Sequence, residues 1–295
     1  MLFKFVEVGK SSLRTILNRL IMPSSNAILG KFGYQIKKVE ESAVDCLMRL
    51  RKKSIREIEG LYREFVFKDL PSHDDGRINL MATLLGTEIS EAIYIHNYLQ
   101  KSLVLPGDIC EFGVAQGATS AFMAYEIRNT DKNMWLFDSF KGLSKPSKKD
   151  ILIKDDLFNA DSIEAYEGSM ACEVEMVKQR LKDINFPSTR VKIIPGFIEK
   201  TINQSNLPDK VCFAYIDFDL YEPILIALNF LDIVLQTGGF VIVDDYDYFS
   251  TGVKTAVDEF VAAHQEKYNF SLPLKSAGHF CIIEKVIQVV YKELK

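Results

Sequence analysis

Cysteine and histidine are scarce in this 295-residue chain, which contains five of the former and four of the latter. The cysteines are widely separated, with no C-x-x-C pair and no Cys/His cluster, at positions Cys46, Cys110, Cys172, Cys212 and Cys281. This spacing argues against a zinc site and provides no disulfide framework. We therefore expect reduced, mostly buried thiols and a cytoplasmic location.

Long apolar runs are also missing, and no stretch approaches the roughly 20 residues needed to cross a bilayer. The start of the chain lacks the uninterrupted apolar core and small-residue cleavage site of a signal peptide. Residues 1–65 contain thirteen basic and seven acidic side chains, so the start is basic and the remainder acidic. We predict that this start packs on its own domain or on a second copy; contact with a membrane surface is the alternative. No basic stripe interleaved with aromatic residues is present, so nucleic acid is not an expected partner.

The most informative stretch is residues 211–246, with the sequence VCFAYIDFDLYEPILIALNFLDIVLQTGGFVIVDDY. It is predicted to form a strand, a helix, a Gly-Gly turn and a second strand, because both apolar runs are typical of a buried parallel sheet. Asp217 and Asp219 follow the first strand, and Asp244 and Asp245 follow the second. Since open α/β sheets bind ligands at the carboxyl ends of their strands, these acids are predicted to share a site.

Carboxylates that are clustered in this way raise one another's pKa values unless a cation lies between them. Their hard oxygen atoms favour magnesium, calcium or manganese. The alternative is that aspartates after strands cap the following helices or lie solvated in loops. A matched pair of strand ends favours the metal site.

Strand and helix patterns alternate from Asp108 onward. This alternation predicts an α/β fold with a doubly wound, seven-stranded, mostly parallel sheet. The last two strands, near residues 270–274 and 279–284, are predicted to pair as an antiparallel edge. The long polar connection over residues 141–168 is typical of a lid or binding loop.

Two helical patterns precede the alternating region, over residues 36–67 and 80–103, and the polar segment KDLPSHDDGR separates them. We therefore predict an N-terminal helical extension over residues 1–70 and an α/β domain over residues 71–295.

The first strand of the α/β region runs into an E-x-G-x-x-x-G motif formed by Glu111, Gly113 and Gly117. The glycines allow a tight turn and a close approach of the backbone to a ligand at a helix N-terminus. A dinucleotide fingerprint would require a glycine at Ala115, which disfavours NAD. Asp138 ends the second strand, where nucleotide-binding sheets place an acid against ribose hydroxyls. Alone the motif fits a structural turn equally well, but the combination suits an adenosine-bearing ligand without a pyrophosphate.

Five sequence blocks, in this order and spacing, carry a family resemblance: GDICEFGVAQGATS, LFDSFKGL, IIPGFIEKTI, YIDFDLYEPILIALNFL and GGFVIVDDYDYFSTGVKTAVDEF. Over about residues 80–285 the chain resembles the macrocin O-methyltransferase family of class I S-adenosylmethionine-dependent methyltransferases. The resemblance implies a Rossmann-like fold and magnesium-assisted transfer of a methyl group to a sugar hydroxyl. The implied acceptor is a sugar in a glycan, glycolipid or natural-product precursor.

The resemblance also implies how S-adenosylmethionine is bound. It assigns Glu111, Gly113 and Gly117 to the methionine end of the cofactor and Asp138 to its ribose. The residues implied near the adenosine are Ser139, Gly196 and Phe197.

The family's metal aspartates correspond to Asp217, Asp244 and Asp245 of this chain. Asp217 is the predicted catalytic residue, which holds Mg²⁺ and accepts the proton. Asp219 is a weaker candidate that is also placed to cap the next helix, and His279 is a minor candidate for a substrate-side base. Three further aromatic residues are candidates for stacking on a sugar or for covering the sheet edge, namely Tyr246, Tyr248 and Phe249.

Three alternatives stay open at this stage. A metal-dependent glycosyltransferase would use Asp217-Phe218-Asp219 as its D-x-D motif, but the glycine motif would then have no explanation. A methyltransferase acting on a catechol-type phenol would need the same metal. A non-catalytic binding module is disfavoured because it has no need of costly clustered carboxylates. The family and the apolar stripe of the first helices together predict a homo-oligomer.

Overall fold

The computed structural model describes residues 42–154 and 161–286 of the chain. The chain divides into two compact units, residues 1–50 and residues 51–295. Only residues 42–50 of the first unit are described, and they include the start of the first helix. The other helices and all the strands below lie in the second unit.

In the described part of the chain, three helices precede the sheet: α1, Ala43–Phe65; α2, Asp75–Met81; and α3, Ile89–Ser102. The amphipathic pattern over residues 36–67 corresponds to α1, and residues 36–41 of that prediction lie outside the described residues. Ile55 and Tyr62 are buried in α1, as its apolar stripe predicts.

The single helix predicted over residues 80–103 is wrong. The chain leaves the helix after Met81 and begins α3 at Ile89. The hydroxyl oxygens of Thr87 and Thr119 lie 2.7 Å apart, which attaches this break to the helix that follows the first strand. A tertiary contact of this kind overrides the local helical periodicity.

Seven strands form one sheet in the order β3-β2-β1-β4-β5-β7-β6. In chain order they are β1, Asp108–Phe112; β2, Met134–Asp138; β3, Val191–Pro195; β4, Val211–Ile216; β5, Leu235–Val243; β6, Tyr268–Ser271; and β7, Cys281–Lys285. Strands β1 to β5 are parallel, and β7 runs antiparallel to both β5 and β6. The predicted seven-stranded, mostly parallel sheet with an antiparallel edge is confirmed.

The connecting helices alternate with these strands: α4, Ala118–Glu126; α5, Val174–Asp183; α6, Ile198–Thr201; α7, Tyr221–Val234; and α8, Thr251–Ala263. Helices α7 and α8 pack on each other, and α4 contacts α2, α3 and α5. Every residue of the central strand β4 is buried. Cys110, Cys212 and Cys281 are buried and unpaired within this core, as their apolar surroundings predict.

Among the residues that the structure describes, no helix combines the length and the apolar character needed to cross a membrane.

Candidate active site

A cavity of about 450 Å³ lies at the carboxyl ends of β1, β2, β4 and β5. The segment before α3 and parts of the connection between β2 and α5 complete its wall. The lining includes seven acidic residues: Glu111, Asp138, Glu199, Asp217, Asp219, Asp244 and Asp245. Among the described residues that line it there is no lysine, arginine or histidine. Such a cavity attracts cationic ligands.

Gly113 turns the chain out of β1 at the point where the backbone of β4 lies closest. Its φ is +87°, and a Cβ atom added there would lie 1.8 Å from the carbonyl oxygen of Asp217. Gly117 begins α4 with a φ of +74°, and its N–H donates to the carbonyl oxygen of Val114 at 2.8 Å. Both glycines are therefore required by conformation, and Gly113 also by close approach.

Asp138 joins the turn after β1 to the turn after β2. Its Oδ2 accepts hydrogen bonds from the N–H groups of Val114 at 2.7 Å and Ala115 at 2.9 Å. Its Oδ1 accepts from the N–H of Phe140 at 2.6 Å. Ser139 lies beside it in the cavity lining, and its hydroxyl donates to the carbonyl oxygen of Gly142 at 2.7 Å. Asp138 thus fixes both turns while its carboxylate faces the cavity.

Glu111, near the end of β1, is the most buried of the acids that line the cavity, with a relative exposure of 1%. The hydroxyl of Ser120 donates to its carboxylate. Burial raises the pKa of Glu111 to about 8; the bond from Ser120 opposes this rise and the charge of Asp138 adds to it. A positive charge beside Glu111 would favour its ionised form.

The two remaining residues assigned to the adenosine follow β3. The N–H of Gly196 donates to the carbonyl oxygen of Asp138 at 2.9 Å, and its φ is +133°. Phe197 lines the cavity, whereas Gly196 supports the turn from behind.

The carboxylates of Asp217, Asp219 and Asp245 converge, with one oxygen atom of each within 4.8 Å of the others. Burial raises the pKa of Asp245 to about 10 and that of Asp219 to about 6, and the charge of Asp244 raises both. Burial and the charges of Asp244 and Asp219 raise the pKa of Asp217 well above its usual range. A divalent cation held by these hard oxygen donors would offset the repulsion, so the donor set fits Mg²⁺.

Asp219 does not cap the helix that follows it, although that was the alternative role for this residue. Helix α7 has Leu220 at its N-cap position and no side-chain hydrogen bond caps it. Asp219 instead lies with Asp217 and Asp245, and its backbone φ of +61° directs the chain there. The cap interpretation is therefore wrong for Asp219.

Asp244 lines the same cavity and makes contacts on its other side. Its Oδ2 accepts a hydrogen bond from the hydroxyl of Tyr215 at 2.7 Å, and its Oδ1 accepts from the N–H of Asp245 at 2.8 Å. The Tyr215 hydroxyl is also 3.1 Å from Oε1 of Glu91, which comes from α3 and has a relative exposure of 2%. Burial and the charges of Asp244 and Asp217 raise the pKa of Glu91 well above its usual range. Neither Glu91 nor Tyr215 is among the predicted site residues; for Glu91, an acid in the first turn of a buried helix is the available signal.

Four non-glycine residues in the turns after β1, β2, β4 and β5 adopt left-handed backbone conformations. They are Ala115, Phe140, Asp219 and Asp245, with φ values of +43°, +53°, +61° and +53°. Each costs on the order of 1–3 kcal/mol, and such strain persists only where the surrounding structure determines it. Its concentration at the carboxyl edge of the sheet marks that edge as the functional one.

The described parts of the connection between β2 and α5 are attached to both acid-bearing strand ends. Asp150, with a relative exposure of 5%, accepts hydrogen bonds from the N–H of Tyr221 at 2.8 Å and from the hydroxyl of Ser250 at 3.1 Å. These two residues stand at the starts of α7 and α8. Leu143 and Met170 from the same connection line the cavity.

The aromatic residues after β5 have separate roles. Tyr248 and Phe249 line the cavity, whereas Tyr246 is buried and its hydroxyl donates to Asp258 at 2.5 Å. The ring of His279 lies 4.7 Å from that of Tyr248, and its Nδ1 is 2.8 Å from the Asp247 carboxylate. His279 is outside the cavity lining, and its role as a base stays a prediction.

The profile described as macrocin O-methyltransferase (TylF) matches residues 94–281, well over half of the chain. The chain belongs to the macrocin O-methyltransferase family.

Curated relatives of this macrocin O-methyltransferase family member include two from Streptomyces. One, from Streptomyces olivaceus, is named 8-demethyl-8-(2,3-dimethoxy-alpha-L-rhamnosyl)-tetracenomycin-C 4'-O-methyltransferase and is 29% identical over 145 residues, 48% of this chain and 54% of its own. The other, demethyldecarbamoylnovobiocin O-methyltransferase from Streptomyces niveus, is 28% identical over 166 residues, 54% of this chain and 59% of its own. The match thus spans little more than half the length of these relatives.

Solved structures confirm the fold of this macrocin O-methyltransferase family member. The O-methyltransferase NovP has a TM-score of 0.58 at 20% identity, over 80% of this chain and 100% of its own. The calicheamicin methyltransferase CalS11 has a TM-score of 0.54 at 18% identity, over 83% of this chain and 94% of its own. At these identities the likeness concerns the fold alone.

Proposed function

We propose that the protein is an S-adenosylmethionine-dependent, magnesium-assisted O-methyltransferase that methylates a sugar hydroxyl in a glycan, glycolipid or natural-product precursor. The observation that carries the proposal is the shared cavity, in which the glycine turn after β1 meets the aspartates after β4 and β5. S-adenosylmethionine carries a sulfonium and an ammonium group, so its charge suits the acidic lining. A nucleotide diphosphate, as a glycosyltransferase would bind, suits this lining poorly.

The residues of the cofactor turn would hold the donor. Glu111, Gly113 and Gly117 are assigned to the methionine end, where a buried acid can meet the ammonium group. Asp138 is assigned to the ribose hydroxyls, because its Oδ1 accepts only one backbone hydrogen bond and retains a free lone pair. The assignments near the adenosine are Ser139, Gly196 and Phe197.

At the other end of the cavity, Asp217, Asp244 and Asp245 would hold Mg²⁺. Asp244 lines the cavity beside the other two, and Asp219 lies close enough to Asp217 and Asp245 to join them. When bound, the sulfonium supplies the methyl group, and the metal supplies a charge that lowers the pKa of a coordinated hydroxyl. S-adenosylmethionine would give its methyl carbon to the hydroxyl oxygen, and the electron pair of the broken carbon–sulfur bond would stay on sulfur. Asp217 accepts the hydroxyl proton and, with its neighbours, orients the acceptor.

The sugar acceptor is supported by two observations. The relatives act, by their names, on a rhamnosyl tetracenomycin and on a decarbamoylnovobiocin. In this chain, Tyr248 and Phe249 line the cavity together with the carboxylates. Phe249 is buried against Tyr166, so the half-buried Tyr248 is the candidate to pack on the apolar side of a sugar ring.

Titration calorimetry tests the proposal directly. The purified chain is titrated with S-adenosylmethionine and, separately, with a UDP-sugar, each with and without Mg²⁺. We expect selective binding of S-adenosylmethionine, after which sugar and catechol acceptors are screened for methyl transfer. Binding of the UDP-sugar alone, dependent on Mg²⁺, would overturn the proposal in favour of a glycosyltransferase. Methylation of catechols but not of sugars would overturn the proposal that the acceptor is a sugar.

A further inference from the structure

A buried hydrogen-bond network lies behind the carboxylates of the site. It consists of the hydroxyl of Tyr215 in β4, the carboxyl group of Glu91 in α3 and the carboxylate of Asp244 after β5. We propose that Tyr215 and Glu91 are positioning residues, which fix the Asp244 carboxylate and so set the affinity of the site for a divalent cation. This inference rests on the metal-assisted function proposed above.

The network holds Asp244 at both of its oxygen atoms. Tyr215 binds Oδ2 at 2.7 Å, and the N–H of Asp245 binds Oδ1 at 2.8 Å. Rotation of the Asp244 side chain would break both hydrogen bonds at once. Tyr215 is fully buried, so water has no access to replace its hydroxyl. Because each carboxylate oxygen has a second lone pair, Asp244 can be held from behind and still face the cavity.

Glu91 extends the network to an element outside the sheet. Its Oε1 lies 3.1 Å from the Tyr215 hydroxyl, and α3 holds it with a relative exposure of 2%. The same helix is preceded by Leu85 and Gly86, which line the cavity. A tyrosine hydroxyl has one proton for two acceptors, so Glu91 at 3.1 Å and Asp244 at 2.7 Å both act on its orientation. The network thereby connects the wall of the cavity to the orientation of Asp244.

Hydrogen bonds to the outer side of metal-binding carboxylates orient them, and losing such a partner typically reduces metal affinity or activity about 10- to 100-fold. Tyr215→Phe removes only the hydroxyl and keeps the buried ring. We expect a Kd for Mg²⁺ that is higher by about 10-fold or more. The Kd for S-adenosylmethionine should stay within about twofold, because the cofactor residues are untouched.

Tyr94→Phe is the matched control. Tyr94 is also buried, on the same helix as Glu91, but its hydroxyl accepts a hydrogen bond from the N–H of Leu274 at 2.9 Å. It has no contact with the acids, so this variant should bind Mg²⁺ like the parent chain. Circular dichroism and thermal unfolding would establish that both variants are folded.

Two substitutions of Glu91 separate positioning from direct ligation. Glu91→Gln keeps hydrogen-bonding atoms at the same place, so Mg²⁺ affinity should remain within about threefold of the parent. Glu91→Leu removes them and should weaken Mg²⁺ binding as Tyr215→Phe does.

Calorimetric titration of each variant with Mg²⁺ decides the question, with kcat and the acceptor KM as a second readout. Unchanged Mg²⁺ affinity in Tyr215→Phe would overturn the inference and leave the proposed function intact. Loss in Glu91→Gln equal to that in Glu91→Leu would also overturn it, because Glu91 would then act as an ionic ligand. Absence of Mg²⁺ binding by the parent chain would overturn both the inference and the metal-assisted function.

Discussion

Gly113 and the carbonyl oxygen of Asp217 touch across the sheet, so closely that a single methyl group on Gly113 would lie 1.8 Å from that oxygen. The contact joins the glycine turn after β1 to the first aspartate after β4. The backbone therefore determines the separation between this turn and the cluster of aspartates.

Gly113→Ala should destabilise the protein by about 3 kcal/mol or more, since it combines a backbone clash with an unfavourable positive φ. Chemical denaturation measures the free energy of unfolding. Gly60→Ala is the control: no atom lies within 4 Å of its added Cβ, in the middle of α1. That variant should gain up to about 1 kcal/mol from helix propensity. Equal free energies of unfolding for the two variants would contradict the close contact between Gly113 and the carbonyl oxygen of Asp217.

Asp138→Asn should weaken S-adenosylmethionine binding at least about 10-fold, because its amide nitrogen cannot accept the hydrogen bonds that the lost oxygen accepted. The turns after β1 and β2 both depend on this side chain. Calorimetry with the cofactor measures the change. Asp131→Asn, at an exposed position, serves as the control and should bind like the parent chain. Parent-like binding by Asp138→Asn would remove Asp138 from the cofactor site.

Glu111 should make the cofactor-free protein less stable as the pH rises. Its pKa is about 8 in the folded chain against an ordinary value of 4.5, so between these values the folded state binds more protons than the unfolded state. Over this range, Glu111 alone should lower the free energy of unfolding by up to about 1.4 kcal/mol for each unit of pH.

Glu111→Gln removes that contribution, so its stability should depend less steeply on pH between about 5 and 8. Denaturation series across this range would show it. Glu64→Gln, at an exposed position, should keep the parent slope. A parent-like slope in Glu111→Gln would mean that Glu111 is already ionised at neutral pH.

Asp217→Asn should lower turnover at least about 100-fold, because the variant loses a charge at the metal and the proton acceptor. The affinity for S-adenosylmethionine should stay nearly intact, since Asp217 is outside the residues assigned to the cofactor. Single-turnover kinetics and calorimetry measure the two quantities separately. Asp209→Asn, which is exposed, should retain full activity. An active Asp217→Asn enzyme would refute the assignment.

The sheet and the order of its elements follow from the sequence because buried parallel strands are continuous apolar runs that end abruptly in polar residues. The same property predicts that Asp217 and Asp245 lie at one edge of the sheet. The domain boundary at residue 70, the homo-oligomeric state and the cytoplasmic location stay predictions.

Other features depend on contacts between distant parts of the chain. Glu91 and Tyr215 are 124 residues apart, and no local pattern indicates that they meet. The break between α2 and α3 is not evident from the sequence because apolar residues continue through it. The contact of Thr87 with Thr119 and the positive φ of Gly86 accompany it. Asp219 lies beside Asp217 because its own backbone adopts a left-handed conformation. Aspartate adopts this conformation more readily than most residues, but the spacing of residues in the sequence does not indicate it.

The four residues with left-handed backbone conformations at the carboxyl edge also affect which substitutions the protein would accept under selection. Glycine at Ala115 or Phe140 would relieve backbone strain in the folded chain while loosening the turns that present the ligands. Laboratory selection for thermal tolerance alone would therefore tend to erode this edge. Selection for new acceptors should instead accumulate changes in the aromatic segment at Tyr248 and in the connection after β2, where substitutions leave the turn conformations intact.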